Sequence, residues 1–202
     1  MKDIWYADKR DIVKWGGIVY LCSKKGIKNI LQIAYYRRQQ WPKLIFDKAN
    51  VNLPEQVIKH FRDIEDVNRL ALSTSLTIKV IKREFSHSTR TSYHRHVCEV
   101  ISAMKEQKIV FLDPDVGLAP NKGEAKHVKP DELTMIWQSL NPQDFLVFYQ
   151  HRFRSRDWVE IRRNQLAAAC GVETNRVGTW SAEQIAKDIA KDVVFFFIEK
   201  LV

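Results

Sequence analysis

The chain has 202 residues, 45% of them hydrophobic and 11% aromatic, which is typical of one globular domain with a sizeable core. No apolar run is long enough to cross a bilayer, and residues 1–6 carry no secretory signal pattern, so a cytoplasmic location is expected. Lys and Arg outnumber Asp and Glu by 33 to 24, giving a formal net charge of +9. Such a surplus favours a nucleic-acid partner, because each neutralised phosphate releases a counterion; a solvated basic surface is the alternative.

Helical and strand-like patterns alternate along the chain, starting with a helix over about residues 10–24 that Gly26 ends. Short apolar runs predict strands over residues 29–36, 76–81, 108–112, 145–149 and 193–198. Further helices are predicted after Pro54, over residues 92–106, after Pro130, around residues 158–168 and from Ser181. The alternation predicts a single α/β domain over residues 1–202, with a three-layer, largely parallel central sheet of five or six strands and helices on both faces.

The sequence predicts neither a disulfide framework nor a metal site. The three cysteines, Cys22, Cys98 and Cys170, are far apart in apolar contexts, so they are expected to be reduced core residues. His94, His96 and Cys98 alternate, but on a helix their side chains point in different directions. The chain also lacks a Gly-x-Gly-x-x-Gly turn, a Walker loop, His-Glu-x-x-His and Gly-x-Ser-x-Gly. Their absence argues against dinucleotide-binding enzymes, nucleoside triphosphatases and zincin metalloproteases.

Two carboxylates follow the buried strand Ile109–Leu112. Asp113 and Asp115 flank Pro114, whose ring restricts the turn, and Gly117 permits a sharp change of direction. Ligands of open α/β sheets bind beyond the carboxyl ends of the strands, so both carboxylates are candidate catalytic groups. An Asp-Pro-Asp turn that only caps the next segment is the alternative.

A second polar cluster ends the predicted strand at residues 145–149. Gln150, His151 and Arg152 follow five apolar residues directly, and His151 is a candidate catalytic imidazole. If the two strands are neighbours, these side chains face the same crevice as Asp113. A histidine satisfied by ordinary packing is the alternative.

Two earlier clusters are candidate substrate-binding groups. Asp8, Arg10 and Lys14 lie at the start of the first helix, where capping and exposed ion pairs would also explain them. Tyr35 and Tyr36 end the first predicted strand and suit stacking on a displaced base, with core packing as the equal alternative.

Several basic residues are expected to contact a nucleic-acid backbone. Residues 86–96 combine hydroxyl and guanidinium groups with a helix start, which suits a phosphate. The loop over residues 117–129 is long and polar, as functional or mobile loops often are. The predicted backbone-binding residues are Arg37, Arg90, Arg95, Lys122, Arg152 and Arg154. A solvated helix face is the alternative for the arginines after residue 151.

Three blocks resemble a poorly described family of short prokaryotic and mobile-element proteins. They are Tyr-x-Asp-x-Arg-Asp-x-x-Lys-Trp from Tyr6, Asp-Pro-Asp-x-Gly-Leu from Asp113, and Tyr-Gln-His-x-x-Arg from Tyr149. The Asp-Pro pair and the later histidine are also similar to uracil-DNA-glycosylase-like enzymes. That resemblance implies that Asp113 activates water or stabilises a cationic sugar, while His151 binds the leaving base and Gln150 and Tyr36 hold it.

Class I methyltransferases offer a rival resemblance, because Asp-Pro-x-x after a strand is similar to their Asp-Pro-Pro-Tyr region. It implies that residues 113–116 hold an amino group near S-adenosylmethionine, although a glycine-rich turn after the first strand is missing. The leading hypothesis is a DNA N-glycosylase that needs no cofactor or metal. It would flip a base out of double-stranded DNA and excise it, and the expected target is a bulky modified base in invading phage DNA. A nucleic-acid methyltransferase is second, and a non-catalytic nucleic-acid binder is third.

Overall fold

The computed structural model describes residues 9–37, 43–46, 48–57, 64–119, 124, 126–181 and 190–201. Its strands in that part of the chain are β1 (Asn29–Ile33), β2 (Leu44–Phe46), β3 (Ala49–Val51), β4 (Thr77–Ile81), β5 (Lys108–Leu112), β6 (Gly117–Leu118), β7 (His127–Val128), β8 (Phe145–His151), β9 (Gly178–Trp180) and β10 (Val193–Glu199). Its helices are α1 (Lys9–Lys25), α2 (Asn68–Thr74), α3 (Arg90–Ala103), α4 (Pro130–Ser139) and α5 (Trp158–Cys170).

Six strands form one central sheet in the order β4-β1-β5-β8-β10-β9. The first four of these run parallel, whereas β10 is antiparallel to both β8 and β9. The pairs β2–β3 and β6–β7 lie outside that sheet. The predicted α/β class with a largely parallel sheet is therefore confirmed.

Side-chain alternation along the strands gives the sheet two apolar faces. On one face, which we call the α1 face, Phe111 packs in a buried cluster with Ile18 of α1, and partly buried side chains of α2 pack against this cluster. On the opposite α3 face, Val110 packs with Val97 of α3 and Leu166 of α5, and α4 lies between these helices. Each fully buried side chain of this size contributes about 1.5–3 kcal/mol, so both helical layers are needed to cover the sheet.

A buried ion pair closes the end of the sheet where β5 and β8 begin. Lys108 and Asp144 are both 0% exposed, and Lys108 Nζ lies 2.6 Å from Asp144 Oδ2 and 2.9 Å from the Met104 carbonyl oxygen. The backbone N–H groups of Lys108 and Asn141 donate to the two carboxylate oxygens. Both carboxylate oxygens of Asp144 therefore accept hydrogen bonds.

Most element boundaries match the prediction to within a few residues. The clearest difference is β1, which ends at Ile33 because Tyr35 takes a left-handed backbone conformation with φ 47°. The loop predicted over residues 117–129 contains the short strands β6 and β7, and the edge strand β9 was not predicted. The predicted helix from Ser181 falls on residues 182–189, outside the described residues, as does most of the helix after Pro54.

The three cysteines carry free thiols. Cys22 and Cys170 are buried, which raises the pKa of Cys22 to about 11 and that of Cys170 to about 12, whereas Cys98 is only half-buried. Within the described ranges, no helix has the length and apolar character needed to span a bilayer.

Candidate functional site

The strand order creates a crevice between the carboxyl ends of β1 and β5. The chain leaves β1 for β4 on one side and later returns to β5 on the other side. Connections that diverge in this way open a space above the strand ends, where open α/β sheets bind their ligands. The candidate site therefore lies where β1, β5 and β8 end.

Asp113 is buried at this switch point, directly after β5. Its N–H donates to the Ile33 carbonyl oxygen at 3.0 Å, which extends the pairing of β5 with β1. Its side chain is 3% exposed and turns to the α1 face, where Oδ2 accepts hydrogen bonds from Lys14 Nζ at 2.9 Å and Gln32 Nε2 at 2.8 Å. None of the hydrogen bonds seen among the described residues falls on Oδ1.

Lys14 joins two carboxylates. Its Nζ also lies 2.5 Å from Asp11 Oδ1, one turn earlier on α1. Burial alone would lower the pKa of Lys14, but the charges of Asp113 and Asp11 outweigh it and hold the pKa above its ordinary value. Lys14 therefore holds two carboxylates together on the α1 face, beside the switch point.

Gln32 of β1 carries a buried acceptor that lacks a partner in the described part of the chain. The side chain is 1% exposed, and its Nε2 is used by Asp113 while Oε1 accepts nothing there. A buried acceptor without a donor costs roughly 1–3 kcal/mol, so native proteins almost always supply one. The acceptor lies at the switch point, so a ligand N–H or O–H group is a suitable donor.

His151 ends β8 on the same face of the sheet as Asp113. Its Nε2 lies 2.6 Å from Tyr149 Oη, and its Nδ1 lies 3.2 Å from Asp192 Oδ2. Arg10 of α1 binds the same Asp192 oxygen at 2.9 Å, one helical turn from Lys14. Burial lowers the pKa of His151, and Arg10 adds to this against the opposing effect of Asp192, so the ring is neutral near pH 7.

Asp115 and Arg37 form an ion pair across the switch point. Asp115 follows β5, Arg37 follows β1, and the Asp115 side chain is 3% exposed. Burial lowers the pKa of Arg37. This pair ties together the two loops that border the crevice.

Gln150 does not face this site, in contrast to the prediction. Neighbouring residues of a strand point to opposite faces, and its side chain lies on the α3 face. Its Oε1 accepts from Leu118 N–H at 2.9 Å, and its Nε2 donates to the carbonyl oxygens of Val116 and His151. A Cβ at Gly117, whose φ is 125°, would lie 2.3 Å from the Gln150 amide, so Gln150 holds this turn in place.

The two predicted base-stacking tyrosines have other surroundings. Tyr35 is buried on the α3 face in an aromatic cluster with Phe85, Tyr93 and His94, and its Oη lies 3.3 Å from His94 Nε2. The second ring nitrogen of His94 bonds the Arg90 carbonyl oxygen, so both nitrogens are occupied. Tyr36 is half-buried and packs against Ala34.

Arg90 is a structural residue rather than the predicted phosphate ligand. Its guanidinium is buried, forms an ion pair with Glu132, and donates to the carbonyl oxygens of His127 and Glu124. It also covers the Phe85 ring at 5.1 Å. Arg90 therefore joins α3 to Glu132 of α4 and to the loop before it, whereas Arg95 lies exposed on α3.

An arginine-rich cleft adjoins His151. It is open, has a volume of about 710 Å³, and reaches Asp192. The remaining lining residues are Arg152, Phe153, Arg154, Ser155 and Arg156. The three arginines are exposed, so this surface attracts anions.

Four residues of this region contribute contacts that the sequence did not predict: Asp11, Gln32, Tyr149 and Asp192. Asp11 and Tyr149 lie in two of the sequence blocks quoted above, whereas Gln32 and Asp192 belong to no recognisable motif. Asp11 and Lys14 share a helix face, which was a visible signal. The predicted contributions of Asp8 and Lys122 fall outside the described part.

Comparisons with known proteins do not identify a family. No family model matches the chain, and no curated protein matches it. Among solved structures, the chain is similar to one described as a "putative methyltransferase" from Thermoplasma acidophilum, with 10% sequence identity and a TM-score of 0.34, over 86% of this chain and 68% of that chain. A likeness this distant does not place the chain in a family.

Proposed function

We propose that the chain is an S-adenosylmethionine-dependent methyltransferase that acts on nucleic acid at the carboxyl ends of β1, β5 and β8. The observation that carries the proposal is the buried group of Gln32, Asp113, Lys14 and Asp11 at the switch point. It combines two buried carboxylates with one acceptor, Gln32 Oε1, that lacks a partner among the described residues.

The residues at the switch point fit this donor. S-adenosylmethionine is a cation that carries a sulfonium, an ammonium and an adenine amino group. Gln32 Oε1 and Asp113 Oδ1 are acceptors suited to its N–H donors, and the Asp113 carboxylate favours its cationic part. When bound, the donor supplies an electrophilic methyl group.

The missing glycine-rich turn does not block the crevice. Tyr35 makes the left-handed turn that glycine usually provides, and its ring is buried on the other side of the sheet. The side chain of Tyr35 therefore does not occupy the α1 face of the strand ends.

The arginine-rich cleft supports nucleic acid as the substrate. Arg152, Arg154 and Arg156 lie immediately after His151, and the whole chain has a net charge of +9. Phosphate contacts along this cleft would position the strand, while the turn at Asp113 would receive the amino group of a displaced base.

DNA glycosylase activity is the second candidate. It is favoured by Asp113 and His151, which follow neighbouring parallel strands and lie on one face of the sheet. It ranks lower because Oδ2 of Asp113 already accepts hydrogen bonds from a buried ammonium and an amide and is therefore less available to a water molecule. A bulky modified base in phage DNA remains the proposed substrate of this candidate.

One assay with two readouts tests both functions. The chain is incubated with single- and double-stranded DNA and RNA, plain and phage-modified, with methyl-labelled S-adenosylmethionine or with no donor. Label on the nucleic acid supports the methyltransferase, and alkali-labile abasic sites formed without donor support the glycosylase. Binding without either product would contradict both and leave a non-catalytic binder.

A further inference from the structure

A chain of hydrogen bonds runs from the buried strand ends to the surface beside the arginine-rich cleft. Tyr149, which is 6% exposed, places Oη 2.6 Å from His151 Nε2. His151 Nδ1 lies 3.2 Å from Asp192 Oδ2, and the Asp192 side chain is 40% exposed. These hydrogen bonds therefore link the phenol of Tyr149 in the interior with the Asp192 carboxylate, which reaches solvent.

The same phenol lies next to the proposed reaction site. Lys14 Nζ, which binds Asp113 at 2.9 Å, lies 5.8 Å from the centre of the Tyr149 ring. Tyr149 and Asp113 thus border the same lysine from neighbouring strands. The Tyr149 ring therefore lies on the same α1 face as Asp113, near the lysine that binds it.

The partners of His151 define the direction of the hydrogen bonds. Burial would raise the pKa of Asp192, but its hydrogen bond and charge interaction with Arg10 outweigh this and lower the pKa, so Asp192 is an acceptor. His151 Nδ1 must then carry the proton of the neutral ring, and Nε2 must accept the Tyr149 hydroxyl proton. Among the described residues, the charged or titratable groups that face His151 are Arg10 from α1, Asp192 before β10 and Tyr149 on its own strand.

We infer that Tyr149, His151 and Asp192 form a proton relay that accepts the proton released at the strand ends. The inference rests on the proposed methyl transfer: an amino group that gains a methyl group must lose one proton to become a neutral amine. Tyr149 Oη takes that proton while its own proton moves to His151 Nε2, which gives an imidazolium beside the Asp192 carboxylate. The imidazolium then releases its Nδ1 proton to solvent through the cleft, and exchange of the remaining Nε2 proton for one on Nδ1 through solvent restores the resting tautomer.

The three residues have different tasks in this relay. Tyr149 is the group that touches the substrate, and His151 acts as the base that makes the phenol an acceptor. Asp192 is a positioning residue, because it fixes the tautomer of His151 and stabilises its charged form. Asp192 also connects the relay to the surface, where the described residues that line the cleft with it are basic, polar or aromatic.

The first test is the pH profile of methyl transfer in matched variants. In the wild type, kcat should rise with pH through the lowered pKa of His151 and then level off. Tyr149→Phe keeps the ring packing, should reduce kcat by about 100-fold, and should lose this acid limb. His151→Gln should also reduce kcat by about 100-fold and lose the acid limb, whereas Asp192→Asn should reduce kcat by about 10-fold. The control Tyr20→Phe changes an exposed residue of α1 and should match the wild type.

The second test does not depend on activity. Nitrogen NMR of ring-labelled histidine should show His151 neutral at pH 7 with the proton on Nδ1, and Tyr149→Phe should shift the Nε2 resonance. A ring protonated on Nε2, or a Tyr149→Phe variant with wild-type kcat and pH profile, would overturn the relay. Absence of methyl transfer by the wild type would instead contradict the proposed function, and the tautomer would still decide the direction of the hydrogen bonds.

Discussion

The sheet has a buried lysine–aspartate pair at each end, and the two ends differ in how fully their hydrogen-bond acceptors are used. At the closed end, Lys108 and Asp144 neutralise each other and every strong acceptor of the carboxylate is used. At the other end, Lys14 serves both Asp11 and Asp113, and Gln32 Oε1 accepts nothing within the described ranges. The two ends therefore differ in whether every buried acceptor has a partner among the described residues.

The largest effect is expected on stability at the closed end. Lys108→Met leaves the Asp144 carboxylate buried without its counter-charge, so the free energy of unfolding should fall by about 3–5 kcal/mol in urea titrations. The double variant Lys108→Met/Asp144→Leu should recover most of this loss. A single variant as stable as the wild type would show that the closed pair is not structural.

The next effect is expected on turnover at the open end. Asp113→Asn removes a charge that faces the proposed ligand, and should reduce methyl transfer by about 10²–10³-fold with nucleic-acid affinity unchanged. Its unfolding free energy should fall by less than that of Lys108→Met, because Lys14 keeps Asp11 as a partner. The matched control Asp131→Asn changes an exposed carboxylate; equal turnover in both variants would remove Asp113 from the site.

The dependence of stability on pH should also reflect the open end. Burial lowers the pKa of His94, His127 and His151 below 6.5, so the unfolded chain takes up protons that the folded chain does not. Stability should therefore fall as the pH decreases from about 7 through each folded pKa. His151→Gln removes one of these contributions and should give a shallower decrease; an unchanged slope would contradict the lowered pKa of His151.

The smallest effect is expected in the arginine-rich cleft. Arg154→Ala should weaken nucleic-acid binding by about 3–10-fold and reduce the slope of log K against log salt by about 1, measured by fluorescence anisotropy. Arg69→Ala removes the same charge from exposed α2 and is the matched control. Equal losses in both variants would indicate a general charge effect rather than a cleft.

The fold was predictable because its signals are local. Apolar runs of strand length and intervening helical patterns predicted every parallel strand of the sheet. The end of β1 was not predictable, because a tyrosine with positive φ has no sequence signature. Strand β9 is three residues long, too short for a pattern to identify it.

The site was predictable only in part, because the direction of a side chain depends on register. Gln150 and His151 are neighbours in sequence, yet the alternation of the strand places them on opposite faces. Gln32 lies inside an apolar strand, and only the fold reveals that it meets Asp113, 81 positions away. Arg90 has the residue type of a phosphate ligand, but Glu132 occupies its guanidinium.

Titration calorimetry with S-adenosylmethionine tests most directly whether the open end of the sheet is a ligand site. The wild type should give saturable binding, Gln32→Leu should bind at least about 10-fold more weakly, and Gln107→Leu, at the closed end, should bind like the wild type. No binding by the wild type, or equal binding by Gln32→Leu, would contradict the assignment of this site.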